Sequence, residues 1–240
     1  MTAPNSGKKA GVLLEALVLY LVLFPPRIPY PEILSPSAPL SVFSLKEELV
    51  KLFFYTVPAL ALTGALLHKK DFSFFSRKGA RFQHSAYTSP GKKALRRVVR
   101  ESASLCMTFP CLALIGWGVS ALSGLFDPRC QPPRLEAPSS LAGRAVLVIS
   151  ALGTGYVEEL FFRRYLPARF GEAGADAARA GLFSTLLFAL SHTYAGPWSV
   201  LNAALSGAFL SVMMLKRQSL HGIAAAHGGY NVFVWLSGET

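Results

Sequence analysis

Three short patterns in the second half of the chain combine side chains able to do acid–base chemistry: Glu158-Glu159-x-x-x-Arg163, Phe188-x-x-x-His192 and His227-x-x-x-Asn231. On a helix the adjacent Glu158 and Glu159 point about 100° apart, which predicts different environments for the two carboxylates. Glu159 and Arg163 are four apart and can pair along one face, leaving Glu158 without a local cation. A carboxylate held in an apolar site can shuttle a proton. His227 and Asn231 also share a face, so both can aim donors at one point, and Gly228 and Gly229 leave room for a second backbone or a substrate. Each pattern has a plain structural use as well. The carboxylates and arginine can close a helix end, His192 can make an interhelical hydrogen bond, and His227 can serve as packing glue.

The positions of these residues decide how informative they are. An ionisable group inside a membrane span costs several kcal/mol, so it is a functional candidate by default. Seven apolar stretches can be drawn: Gly11 to Phe24, Leu52 to Leu67, Ser102 to Phe126, Ala145 to Phe162 (or on to Ala168), Ala180 to Tyr194, Trp198 to Leu215, and Leu220 to Leu236. The three patterns fall in the fourth, fifth and seventh. Several stretches are shorter than the roughly 20 residues a span needs and must recruit polar flanks. Between the first two, Pro25, Pro26, Pro29, Pro31, Pro36 and Pro39 exclude a continuous helix and predict an extended or interfacial loop. Lys8 and Lys9 before an apolar run resemble a signal peptide. Glu15 interrupts that run, however, and prolines stand where a small-residue cleavage site would be, so a retained anchor helix is expected, with Glu15 at an interface or a helix contact. Small residues four apart, in Ala203, Gly207 and Ser211 and in Ser120 and Gly124, predict close helix approach.

Composition supports a lipid solvent. Of 240 residues, 52% are hydrophobic and 15% charged, against roughly 25% charged in an average soluble domain. The mean hydropathy is +0.39, which a water-soluble chain of this size could carry only with large exposed apolar patches. Disorder and a disulfide scaffold are excluded, the latter because only three cysteines are present. Cys106 and Cys111 read as packing residues and Cys130 as a loop residue. No repeat, phosphate-binding glycine loop or zinc-ribbon pattern occurs.

The net charge of +11 is read as topology before nucleic acid, because basic residues mark cytoplasmic loops. With the N-terminus inside, 18 of the 24 basic residues fall on the cytoplasmic side and six outside. The expected fold is an all-α, polytopic bundle of about seven membrane helices, N-terminus in, with the bilayer as partner and no nucleic acid. Residues 1–144 would supply the N-terminal helices and a basic cytoplasmic loop, and residues 145–240 the helices carrying the three patterns, in one continuous bundle. The basic loop over 68–101, ending in Arg96, Arg97 and Arg100, would lie on anionic headgroups or simply set orientation.

Depth tests whether the patterns can meet. At about 1.5 Å per residue from the cytoplasmic surface, Glu158 lies roughly 16 Å deep, His192 roughly 20 Å, His227 about 9 to 16 Å and Asn231 about 15 to 22 Å. These ranges overlap, so one constellation is allowed if the fourth helix runs past Arg163, which then needs Glu159 as its buried partner.

Taken together and in order, the three patterns resemble the motifs of the CPBP family, the type II CAAX prenyl endopeptidases and their bacterial relatives. The run from Gln218 to Ala226 before His227 is similar too. The resemblance covers roughly residues 145–236. It implies an all-helical integral, multi-pass membrane protein, of the cell (inner) membrane if bacterial, that hydrolyses peptide bonds of a protein or peptide substrate inside the bilayer, and with the depths above it implies cleavage close to the cytoplasmic half. By that resemblance Glu158 and His192 would activate a water, Glu158 as base; His227 and Asn231 would stabilise the oxyanion; and Glu159 and Arg163 would hold the site together. No cofactor is expected. The alternative is zinc held by Glu158, His192 and His227, although no compact His-Glu-x-x-His signature is present. A non-catalytic reading, as an immunity factor or a transporter, lacks the paired broken helices or inverted repeats of many transporters.

Overall fold

In the computed structural model, residues 6–26, 41–69, 90–126 and 135–237 are described. Cys130, the prolines from Pro29 to Pro39 and residues 70–89 of the basic segment lie outside the described residues, and the end of that segment, with Arg96, Arg97 and Arg100, is helix from Pro90 onward rather than the loop expected. The described chain is almost wholly helical: α1 (Ser6–Leu23), α2 (Leu45–Lys51), α3 (Val57–Lys69), α4 (Pro90–Phe126), α5 (Leu141–Leu160), α6 (Leu166–Glu172), α7 (Ala177–Leu190), α8 (Pro197–Arg217) and α9 (Leu220–Ser237). A π turn at Leu52–Thr56 joins α2 to α3, and another at Phe161–Tyr165 joins α5 to α6, so these nine segments make seven rods among the described residues. Two-residue strands, Ser41–Val42 and Leu135–Glu136, pair in parallel and tie two connectors together.

Both π turns have the same local cause. A proline in a helix has no N–H to donate and its ring collides with the carbonyl four residues back. Pro58 and Pro167 each stand just beyond a π turn, where the widened turn moves that carbonyl aside without ending the rod. The fourth span therefore runs the full length from Leu141 to Glu172, past Arg163 as the depth argument required. The fifth differs from expectation. Its helix stops at Leu190, and His192 begins a short 3-10 turn at Thr193–Ala195. Gly196, with φ +87° and ψ 175°, then reverses the chain into Pro197 in a conformation that suits glycine alone.

Four rods are long and apolar enough to cross a membrane, Leu45–His68, Gly91–Phe126, Leu141–Glu172 and Pro197–Arg217, while Ala177–Leu190 is shorter. Burial is arranged as lipid requires. Phe54, Leu114, Trp117 and Leu182 are exposed, whereas Thr56, Ser104, Thr108, Ser150, Ser184 and Ser206 are buried between helices. This is a multi-pass membrane bundle.

The first helix is built into that bundle. Glu15 pairs with the buried Arg169 of α6 and accepts a hydrogen bond from the Tyr165 hydroxyl at 3.0 Å. Arg169 also meets Glu172 at 2.6 Å, and the Tyr20 hydroxyl donates to the Leu187 carbonyl of α7 at 3.0 Å. Of the small-residue pairs, Ala203 and Gly207 are buried and Ser211 meets Thr185 at 3.0 Å, as expected. Ser120 and Gly124 are instead exposed, and a side chain at Gly124 would touch nothing within 4 Å. That pair faces outward because α4 meets α9 and α8 through other faces.

Candidate active site

The crossing of α5 and α9 sets the site. A Cβ added at Gly155 would fall 2.6 Å from the Gly228 backbone nitrogen, and one at Gly228 would fall 2.6 Å from the Leu152 Cα. The room beside His227 is thus filled by a second backbone at Gly228, while Gly229 makes no such close approach. Backbone contact at this level carries His227 between the two carboxylates of α5. Its Nδ1 lies 2.9 Å from Glu159 Oε1 and its Nε2 lies 3.5 Å from Glu158 Oε2. Glu158 and Glu159 do leave the helix into different surroundings, Glu158 onto a cavity and Glu159 fully buried against Arg163, but one imidazole reaches both, which the sequence did not suggest. The two nitrogens of a planar ring point apart by an angle that suits two carboxylates so placed.

The buried partners of that imidazole are ordered in a chain. Glu159, fully buried, also meets Arg163 Nε at 3.4 Å, the i,i+4 pair expected from the sequence. The Arg163 guanidinium lies 4.9 Å over the Phe188 ring, a cation–π contact that adds favourable charge in a dry setting. An ionised Glu159 can only accept, so the Nδ1 of His227 carries a proton. Nε2 faces Glu158 favourably with one further proton on either group, or with a water that donates to both. Glu158 and His227 are therefore an acid–base couple held by a fixed counter-charge. The 3.5 Å gap is long for a direct hydrogen bond and suits an ion pair or a bridging water.

His192 is oriented by its own motif. Its Nδ1 lies 2.8 Å from the Phe188 carbonyl, which can only accept, so Nδ1 is the protonated nitrogen. Nε2 then carries the lone pair in the neutral ring. Ser191 Oγ packs beside it at 3.2 Å, and the Phe188 ring stands edge-on to both His192 (4.6 Å) and His227 (6.0 Å). Phe188 is thus the common spacer between arginine and the two histidines.

Glu158, His192, His227 and Asn231 all line one cavity of about 350 Å³. The four sequence candidates for chemistry are brought together, with Glu159 and Arg163 directly behind them. The cavity also exposes groups that spacing alone did not single out. Asn202 of α8 and Thr154 of α5 border it, and the buried Asn202 Oδ1 and Thr154 Oγ1 have no protein hydrogen-bond partner. Tyr230 meets Asn202 through its hydroxyl. Glu48 of α2 lines the far wall, accepting from Ser150 Oγ and pairing with Lys51 at 3.3 Å. For Asn202 the available signal was a lone amide within an apolar span. For Glu48 there was none, since its place depends on how α2 docks on α5.

The cavity has a direction. From Glu158 and His227 it runs to Lys51, Tyr194, Ser199 and Trp235. These stand where α8 begins, where α7 and α9 end, and close to the start of α2. Tyr194 is exposed there. The basic clusters at Lys92 to Arg100 and Lys216–Arg217 belong to the opposite end. As to a metal, among the described residues no three His, Cys, Asp or Glu side chains are grouped to hold one. In both His192 and His227 the engaged nitrogen is Nδ1, which leaves each Nε2 as the atom that can meet a water, a substrate or an ion.

The cavity of this multi-pass bundle thus holds a carboxylate–imidazole couple, a second oriented imidazole and an amide, an arrangement able to carry acid–base chemistry. Residues 140–233, somewhat less than half the chain, match the family described as type II CAAX prenyl endopeptidase Rce1-like. The three motifs lie inside the matched segment, and that match supports CAAX-protease-type, intramembrane endopeptidase activity in general terms. No curated protein sequence and no solved structure matches the chain.

Proposed function

We propose that this protein is an intramembrane endopeptidase that cleaves membrane-associated, prenylated or C-terminally anchored proteins with a glutamate-activated water and no metal. Glu158 takes a proton from water held between it and Nε2 of His192, and the water oxygen bonds to the scissile carbonyl carbon. The oxyanion accepts hydrogen bonds from protonated Nε2 of His227 and from the Asn231 amide. Glu158 then returns the proton to the leaving nitrogen as the C–N bond breaks. Glu159 and Arg163 keep His227 in the required tautomer and orientation. Asn202 Oδ1 and Thr154 Oγ1 are free to bond the substrate backbone. With the N-terminus in the cytoplasm, as the basic excess favours, the cavity mouth faces away from it, unlike the cytoplasmic-side cleavage expected from depth and the resemblance.

The observation that carries this reading is the placement of Glu158 against His227, with His192 and Asn231 on the same cavity wall. The test is cleavage of a membrane reporter substrate by the parent and by His192→Ala, each with and without a chelator. Loss of one acid–base or water-orienting group should lower turnover by about 10² to 10⁴, and the chelator should change nothing. A chelator that abolishes cleavage would favour the zinc version. Equal cleavage by both proteins would remove His192 from the site.

A further inference from the structure

At the opposite end of the bundle lies a second cavity, of about 370 Å³, that the proposed chemistry does not use. Three guanidiniums border it, Arg97 and Arg100 from α4 and Arg164 from the α5–α6 π turn, with the imidazoles of His68 and His221. Its carboxylate is already engaged. Glu101 accepts from Arg100 at 3.0 Å, from Ser219 Oγ at 2.5 Å and from the Gly222 nitrogen at 2.8 Å, a set that fastens the start of α9 to α4. Arg97 donates to His221 Nε2 at 3.1 Å, which fixes the direction of its fork. Positive charge therefore exceeds negative charge in this cavity, while Leu160 and Leu220 give it an apolar floor.

We propose that this cavity binds the phosphate of an anionic phospholipid headgroup. Clustered guanidiniums match phosphate oxygens with paired, charge-assisted hydrogen bonds. The floor of leucines suits a ligand that is polar at one end and apolar at the other, which inorganic phosphate is not. Its surroundings fit the headgroup layer: the first turns of α4 expose Lys92, Lys93 and Arg96 together with Leu95, Val98 and Val99. Such a mixed surface seats its stems in the acyl boundary and its charges among headgroups.

The site differs from a general basic surface by position, and the test uses that difference. The delipidated full-length protein is titrated with phosphatidylglycerol, phosphatidylcholine or inorganic phosphate, and bound ligand is read by native mass spectrometry. Three proteins are compared: the parent, Arg97→Gln/Arg100→Gln, and Lys92→Gln/Lys93→Gln, which removes equal charge from the exposed turns. Phosphatidylglycerol should bind the parent in preference to phosphatidylcholine, and the arginine pair should weaken it by about tenfold or more, as expected for two lost charge-assisted bonds. The lysine pair should change it little. Equal weakening by both pairs, or none by the arginine pair, would overturn the proposal. Displacement of the lipid by millimolar inorganic phosphate alone would overturn its lipid part and assign the cavity to free phosphate.

Discussion

Glu159 shows how a residue that touches no substrate can decide whether a site works. It lies between Arg163 and His227 in a fully buried position, one oxygen hydrogen-bonded to the imidazole and the other in an ion pair with the guanidinium at 3.4 Å. Removing one partner of a buried charge pair typically costs about 3 to 5 kcal/mol, because the other charge is left uncompensated. Glu159→Gln should therefore lower the thermal unfolding temperature markedly as well as activity, and a differential scanning measurement in detergent reads the first. Unchanged unfolding would mean that Arg163 has another counter-charge. The residue pattern was legible here in part. The i,i+4 spacing gave the Glu159–Arg163 pair, and the lipid cost of charge gave the candidates. What spacing could not show was that one ring would join both carboxylates, since that depends on a neighbouring helix. Glu48 was hidden for the same reason, since only the docking of α2 on α5 places it on the cavity, whereas Asn202, a lone amide in an apolar span, reaches the cavity from α8 packed on α7 and α4.

The α5–α9 crossing is the element on which the site depends. Gly155 and Gly228 let the backbones touch, and an added methyl at either would meet main chain rather than a movable side chain. Overpacking of this kind costs about 1 to 3 kcal/mol. Gly228→Ala should push α9 outward, separate His227 from Glu158 and Glu159, and reduce both stability and cleavage. Gly124→Ala, where nothing lies within 4 Å, is the matched control and should leave both unchanged. If the two variants behave alike, the close crossing is not what aligns the site. Apolar periodicity located all seven rods, and the prolines at 58 and 167 were visible in the chain, but whether they would break a helix or only widen a turn was decided by tertiary packing. The early end of α7 escaped notice because Ser191 and His192 follow the apolar run without a breaker until Gly196.

For the molecule as a whole, the two ends of the bundle carry different work. One holds the basic turns and the arginine-lined cavity, the other the mouth of the catalytic cavity beside Lys51, Tyr194 and Trp235. In the proposed orientation, with the basic residues on the cytoplasmic side, the mouth lies on the far side. In cells, a cysteine at Tyr194 should react with an impermeant thiol reagent added outside, and one at Lys92 only after permeabilisation, in a background with the native cysteines replaced. The reverse pattern would invert the bundle and give the site a cytoplasmic substrate. Charge distribution was readable from sequence, but the direction of the cavity was not, because it emerges from where the helix ends meet. The account rests finally on the carboxylate of Glu158, and the most direct measurement is reporter cleavage in reconstituted vesicles by Glu158→Gln, with insertion and unfolding temperature followed in the same samples. The account predicts a correctly inserted, normally stable protein whose cleavage falls to background. Cleavage at the parental rate would contradict it.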